Sequence, residues 1–122
     1  MSQDQRAVWE RYVASWKAES AEQKSALYEM SLRPDCVYTD PLVQAKGWAA
    51  LLAYMLDFHK QIPGGHFVTE AFTSHHGRSL ASWTMRSADG TTIGTGTSYA
   101  EYDSSDRLIS MTGFFEAAAE GA

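Results

Sequence analysis

The chain changes hydrophobic period once, at Pro63-Gly64-Gly65, and that change limits its fold more than any other feature. Before it, apolar residues recur at helical spacing; after it, runs rich in Thr, aromatic and branched residues are split by short turns. Residues 4–19 predict an amphipathic helix, with Val8, Tyr12 and Ser15 along one edge of the buried stripe and Trp9, Val13 and Trp16 along the other. Ser20 with Gln23 fits a capping box and opens a second helix carrying Ala26, Leu27 and Met30 on its apolar side, ended by Arg33-Pro34. A short strand at 36–39 and a loop from Asp40-Pro41 to Gly47 lead to a third helix at 48–60. Its apolar positions Trp48, Leu51, Leu52, Met55, Leu56 and His59 share one face.

Beyond the break, strands are expected at 67–75, 79–87, 91–102 and 108–115, and their short turns imply antiparallel pairing. Gly94 and Gly96 leave two side-chain-free positions on one face of the third of these strands, which permits a bend or a close approach and otherwise only weakens the strand. Helices followed by strands give an α+β fold, in which a curved sheet wraps helices held on one face. At 122 residues the chain is expected to form one domain, long enough to bury roughly two-thirds of its unfolded surface and to enclose a small cavity. The tail at 117–122 is expected to fray.

Charge narrows the partners. Lys and Arg total 10 against 15 Asp and Glu, a net charge of -5, so the cationic surface that nucleic acid requires is missing. No apolar run is long enough to span a bilayer. Cys36 is the single cysteine and cannot form an internal disulfide. With no positively charged, apolar leader at the start, a cytoplasmic location is expected.

Asp40 is the residue that most needs explaining. Pro41 restricts it to extended or turn geometry, so its carboxylate sits at a chain reversal. Facing an apolar pocket it would be a base; facing water it is a turn residue, and Asp-Pro is common in turns. Tyr12, on the inward edge of the first helix, has a complementary role. A carboxylate can take a proton from carbon next to a carbonyl while a phenol donates to the oxygen that becomes negative. Trp16, Tyr54, Phe58, Trp83, Met85, Tyr102, Met111 and Phe115 are candidate walls, although each taken singly reads as core before pocket.

Other chemistries find little support. His75 and His76 are adjacent, and neighbouring strand residues point to opposite faces, so no metal is expected there. His59 and His66 flank the break as core or surface residues. Ser98 and Ser110 lack a nucleophile-elbow context, Cys36 reads as an inert core thiol, and no glycine-rich phosphate loop joins a strand to a helix.

Taken together, Arg11-Tyr12-Val13-Ala14, the 34–41 segment with Thr39-Asp40-Pro41, Gly47, and Arg107-Leu108-Ile109-Ser110-Met111 resemble bacterial ketosteroid isomerases. More broadly, nearly the whole chain resembles the nuclear transport factor 2-like superfamily, which includes the SnoaL-like polyketide cyclases. The resemblance implies a cone-shaped α+β fold with three N-terminal helices in a strongly curved, mixed, mainly antiparallel sheet. It also implies an apolar pocket and often a homodimer through the sheet, where Phe72, Ile93, Tyr99 and Ile109 are expected to pack between subunits.

Asp40 falls on the family's general base and Tyr12 on its oxyanion phenol. The protonated carboxylic acid that isomerases carry in the penultimate strand falls here on Ser98, a weaker donor to an enolate. Glu101 is near in sequence but has the opposite strand parity and cannot substitute without a bulge. The implied activity is cofactor-independent proton transfer on a small apolar, cyclic carbonyl compound. The alternative is a ligand-binding or protein-interaction domain of the same fold with no chemistry.

Overall fold

A computed structural model describes residues 4–115. The tail expectation at 117–122 lies outside the described residues. Three helices, α1 (Gln5–Lys17), α2 (Ala21–Ser31) and α3 (Gly47–Gln61), accompany six strands: β1 (Leu32–Asp40), β2 (Val43–Lys46), β3 (His66–His75), β4 (Arg78–Arg86), β5 (Thr92–Tyr102) and β6 (Leu108–Phe114). The strands form one mixed sheet in the order β2-β1-β6-β5-β4-β3. The last four make an antiparallel meander, β1 joins β6 in parallel, and β2 pairs antiparallel with β1.

The helix ends follow local chemistry. The Asp4 side chain accepts the Arg6 N–H, and Ser20 accepts the Gln23 N–H while the Gln23 side chain accepts the Glu19 N–H. The buried face of α2 is not the expected one. Ala26 and Met30 are exposed, whereas Lys24, Tyr28 and Ser31 are buried. These side chains find polar partners inside. The Lys24 amine donates to the carbonyls of Ser15 and Ala18 at 2.8 Å each, closing the last turn of α1, and the Tyr28 hydroxyl meets Met55 Sδ at 3.0 Å. Burial pulls the Lys24 amine down to about 8.

β1 begins at Leu32, earlier than the expected start at residue 36. Its register against β6 shifts between Leu32 and Val37, so the strand continues across Pro34, which has no N–H to give the ladder. The expected loop between Asp40 and Gly47 holds the four-residue β2, which is too short to carry a period of its own.

A second shift between Thr69 and Ala71 changes which side of β3 faces in. Phe67 packs against Trp16, Phe58 and Trp83. After the bulge Phe72 pairs with the fully buried Ala81 and packs on the core, with the Arg6 guanidinium 5.8 Å from its ring centre. Phe72 is therefore not on the outer face assigned to it from sequence. Ile93 is 44% exposed and also contributes to the cavity lining.

Candidate active site

β1 sets the site. Side chains alternate across a strand, so Cys36, Tyr38 and Asp40 share the inward face, and all are buried. At the end of β1 the chain reverses through Pro41 and Leu42, and Asp40 Oδ1 accepts the N–H groups of Leu42 at 2.8 Å and Val43 at 3.1 Å. That oxygen belongs to the turn. Oδ2 accepts the hydroxyls of Tyr38 at 2.6 Å and Tyr54 at 2.8 Å. One carboxylate thus serves the turn through one oxygen and a buried phenol pair through the other.

Both phenols keep their protons. Burial drives Tyr38 and Tyr54 far above the ordinary phenol value, and the charge of Asp40 and the hydrogen bonds to it add to the effect. Tyr12 is raised as well, first by burial and also by the Asp40 charge. These groups can donate hydrogen bonds and cannot act as bases near neutral pH.

Asp40 and Tyr54 line a cavity of about 520 Å³, within the range that takes small organic ligands. Its walls include Trp16, Phe58, Phe67, Trp83, Met85 and Phe115. A crevice of about 30 Å³, the size of one water-sized group, lies beside it and is lined by Tyr12 and Ser98. Trp16, Tyr38, Phe67 and Trp83 border both spaces. Gly113 links the two sites: a methyl group there would lie 3.7 Å from Ser98 Oγ and 3.8 Å from Asp40 Cβ.

Ser98 has a partner that its sequence position did not suggest. Its hydroxyl accepts the Trp83 indole N–H at 3.0 Å, which leaves its own proton to donate. Gly96, opposite Trp83 in the ladder, lets the indole lie against the strand, since a Cβ there would come within 2.3 Å of the ring.

Six of the expected wall residues, Trp16, Tyr54, Phe58, Trp83, Met85 and Phe115, line the large cavity. Tyr102 and Met111 do not. The Tyr102 hydroxyl shares a 2.8 Å hydrogen bond with Ser79, and Met111 is buried in the core. Tyr12 and Asp40 border different but adjoining spaces. Tyr38 was missed as a partner of Asp40, although its position two residues before Asp40 on a strand was the signal. Asp57 and Gln61 also line the cavity and were not among the candidates, since both are polar and lie off the apolar positions of α3.

His75 and His76 do not point apart as expected. His76 lies in a turn with φ of 49°, which brings the two Nδ1 atoms to 3.1 Å. Among the described residues no group of three or more His, Cys, Asp or Glu could hold a metal ion. None of the described helices is long and apolar enough to cross a membrane.

The SnoaL-like domain model matches residues 9–111. The chain belongs to the SnoaL-like family. No curated protein matches it. Among solved structures, this SnoaL-like domain is similar to a proposed isomerase of the SnoaL-like family from Agrobacterium tumefaciens, with 24% identity and a TM-score of 0.84 over 93% of this chain and 97% of that one. It is also similar to a proposed polyketide cyclase from Sinorhizobium meliloti, with 14% identity and a TM-score of 0.70 over 91% and 99%. A third is a proposed SnoaL-like polyketide cyclase from Jannaschia sp. CCS1, with 12% identity and a TM-score of 0.74 over 94% and 92%. At these identities the likeness establishes the fold.

Proposed function

We propose that this SnoaL-like domain is a cofactor-independent acid–base enzyme acting on an apolar, cyclic carbonyl compound. The observation that supports it is the junction of the two spaces: Asp40 borders a cavity large enough for a ring system, beside a crevice sized for one oxygen and lined by two hydroxyl groups. The carbonyl oxygen enters the crevice and the ring fills the cavity. Asp40 Oδ2 takes the proton from the carbon next to the carbonyl. The C–H electron pair becomes the enolate double bond, and the developing O⁻ accepts hydrogen bonds from Tyr12 and Ser98. Return of the proton to another carbon completes an isomerisation; return to the same carbon is seen only as isotope exchange. In this reading Tyr38 and Tyr54 fix Oδ2 and are positioning residues.

The test uses deuterium exchange at the carbon next to the carbonyl of 1-tetralone in D2O, followed by NMR. The protein is expected to accelerate exchange, and Asp40→Asn to abolish at least 99% of that acceleration, a loss of about 10²-fold, with an unchanged circular dichroism spectrum. Equal exchange by the wild type and Asp40→Asn would remove Asp40 from the mechanism.

A second reading has its own support. Four donors already occupy the Asp40 carboxylate, two backbone N–H groups and two phenols, which suits a ligand-binding site with no chemistry. Binding of 1-tetralone with no exchange favours it. For assembly we propose a homodimer through the outer sheet face, where Leu80 is exposed and pairs with Tyr99. A sedimentation mass near 13.5 kDa at micromolar concentration would count against the dimer.

A further inference from the structure

The cavity has a one-sided charge. Its only charged lining residues among those described are Asp40 and Asp57, both acidic, and no Lys, Arg or His joins them. His59 and Lys60, the basic residues in the last turn of α3, are not in the lining. Asp57, Phe58, Gln61 and Ile62 all come from the C-terminal end of α3, and Ile62 is its cap. That end of a helix carries partial negative charge and favours a cation.

The aromatic walls suit a flat ring. Trp16 stands at near right angles to Phe58 at 5.5 Å and to Phe67 at 5.3 Å, and Phe67 meets Trp83 edge-on at 5.1 Å. Asp57 is exposed, and Gln61 Nε2 donates to its Oδ2 at 2.7 Å. Tyr54, one turn earlier on the same face, lies close enough for both Asp40 and Asp57 to oppose ionisation of its phenol. Asp40, which is buried, therefore marks the inner end of the cavity, and the exposed Asp57 the outer end.

We propose that the ligand is a flat apolar compound carrying a protonated amine, with the amine at the outer end against Asp57 and the C-terminal turn of α3. This rests on the reading of the cavity as a ligand site and adds the class of compound it takes. An anionic ligand of the same shape meets two carboxylates and a helix C-terminus, and is rejected.

The test compares three probes of one ring shape, 2-naphthylmethylamine, 2-naphthalenemethanol and 2-naphthoate, at pH 7 and low salt. Binding is read from the tryptophan fluorescence, because Trp16 and Trp83 form the cavity wall. The ammonium probe is expected to bind about tenfold more tightly than the carboxylate, with the alcohol between them. Asp57→Asn is expected to cut the advantage of the ammonium over the alcohol at least twofold. A carboxylate probe that binds as tightly as the ammonium, or a ratio unmoved by Asp57→Asn, overturns the proposal. If either result appears while deuterium exchange of 1-tetralone persists, only the amine preference falls. If none of the probes binds while exchange of 1-tetralone persists, only the amine preference falls; if exchange is absent as well, the ligand site itself falls and both readings go with it.

Discussion

Tyr38 and Asp40 lie two residues apart on one strand, and the Tyr38 hydroxyl donates to Asp40 Oδ2 at 2.6 Å. Tyr54 reaches the same oxygen from α3 at 2.8 Å. The pair ties the sheet to the helix that closes the cavity.

The two phenols should differ in what they contribute. Tyr38 is buried and Tyr54 half-buried, so loss of the Tyr38 donor leaves an inner carboxylate lone pair unsatisfied. Tyr38→Phe is expected to cost about 1.5–3 kcal/mol, and Tyr54→Phe less, because water can replace its hydroxyl. Urea unfolding curves of both variants measure this; equal costs would contradict the difference in burial.

Two glycines test the shape of the site. Gly96→Ala drives a methyl into the Trp83 ring and is expected to destabilise by about 1–3 kcal/mol and to shift the tryptophan emission. Gly113→Ala places its methyl in ordinary contact at 3.7–3.9 Å, so the protein should fold normally. That methyl narrows the crevice, and exchange of 1-tetralone should fall while the urea midpoint stays within error. Unchanged exchange in Gly113→Ala would mean that the carbonyl does not use the crevice.

Cys36 should resist thiol reagents. It is 1% exposed, and burial pushes its thiol up to about 11. At pH 8 it is expected to react with Ellman's reagent only as fast as the protein unfolds. Immediate reaction of the native protein would show that β1 opens readily.

Stability should rise and then fall on going to high pH. The folded Lys24 amine loses its proton near 8 and the unfolded one near 10.5, so the folded state bears the full cost of a buried charge below pH 8. That cost fades between pH 8 and 10.5. The buried phenols act later and in the opposite sense. Below pH 10 they are protonated in both states; above it the unfolded chain ionises first, and Tyr102 holds its proton up to about 12. Urea midpoints at pH 7, 9.5 and 11.5 are expected to go up and then down. Lys24→Met should abolish the rise and keep the fall.

The periodicity of the chain was enough to determine three helices, a strand before the third of them and a run of strands after it, because side-chain burial repeats at different intervals in the two structures. The capping box at Ser20, the break at Pro63-Gly64-Gly65 and the inward edge of α1 are local chemistry and were legible as such. Asp40-Pro41 was legible as a chain reversal for the same reason.

The tertiary structure alone decided what Asp40 touches. Tyr54 reaches it across 14 residues and Ser98 accepts from Trp83 across 15, and no local pattern records which pairs a fold brings together. It also decided the facing of Phe72 and the burial of Lys24. A bulge between Thr69 and Ala71 inverts strand parity, and a buried amine becomes tolerable only when α1 presents two carbonyls to it. Sequence could place a carboxylate at a turn. Only the folded chain gave that carboxylate two phenols, a cavity and a neighbouring crevice.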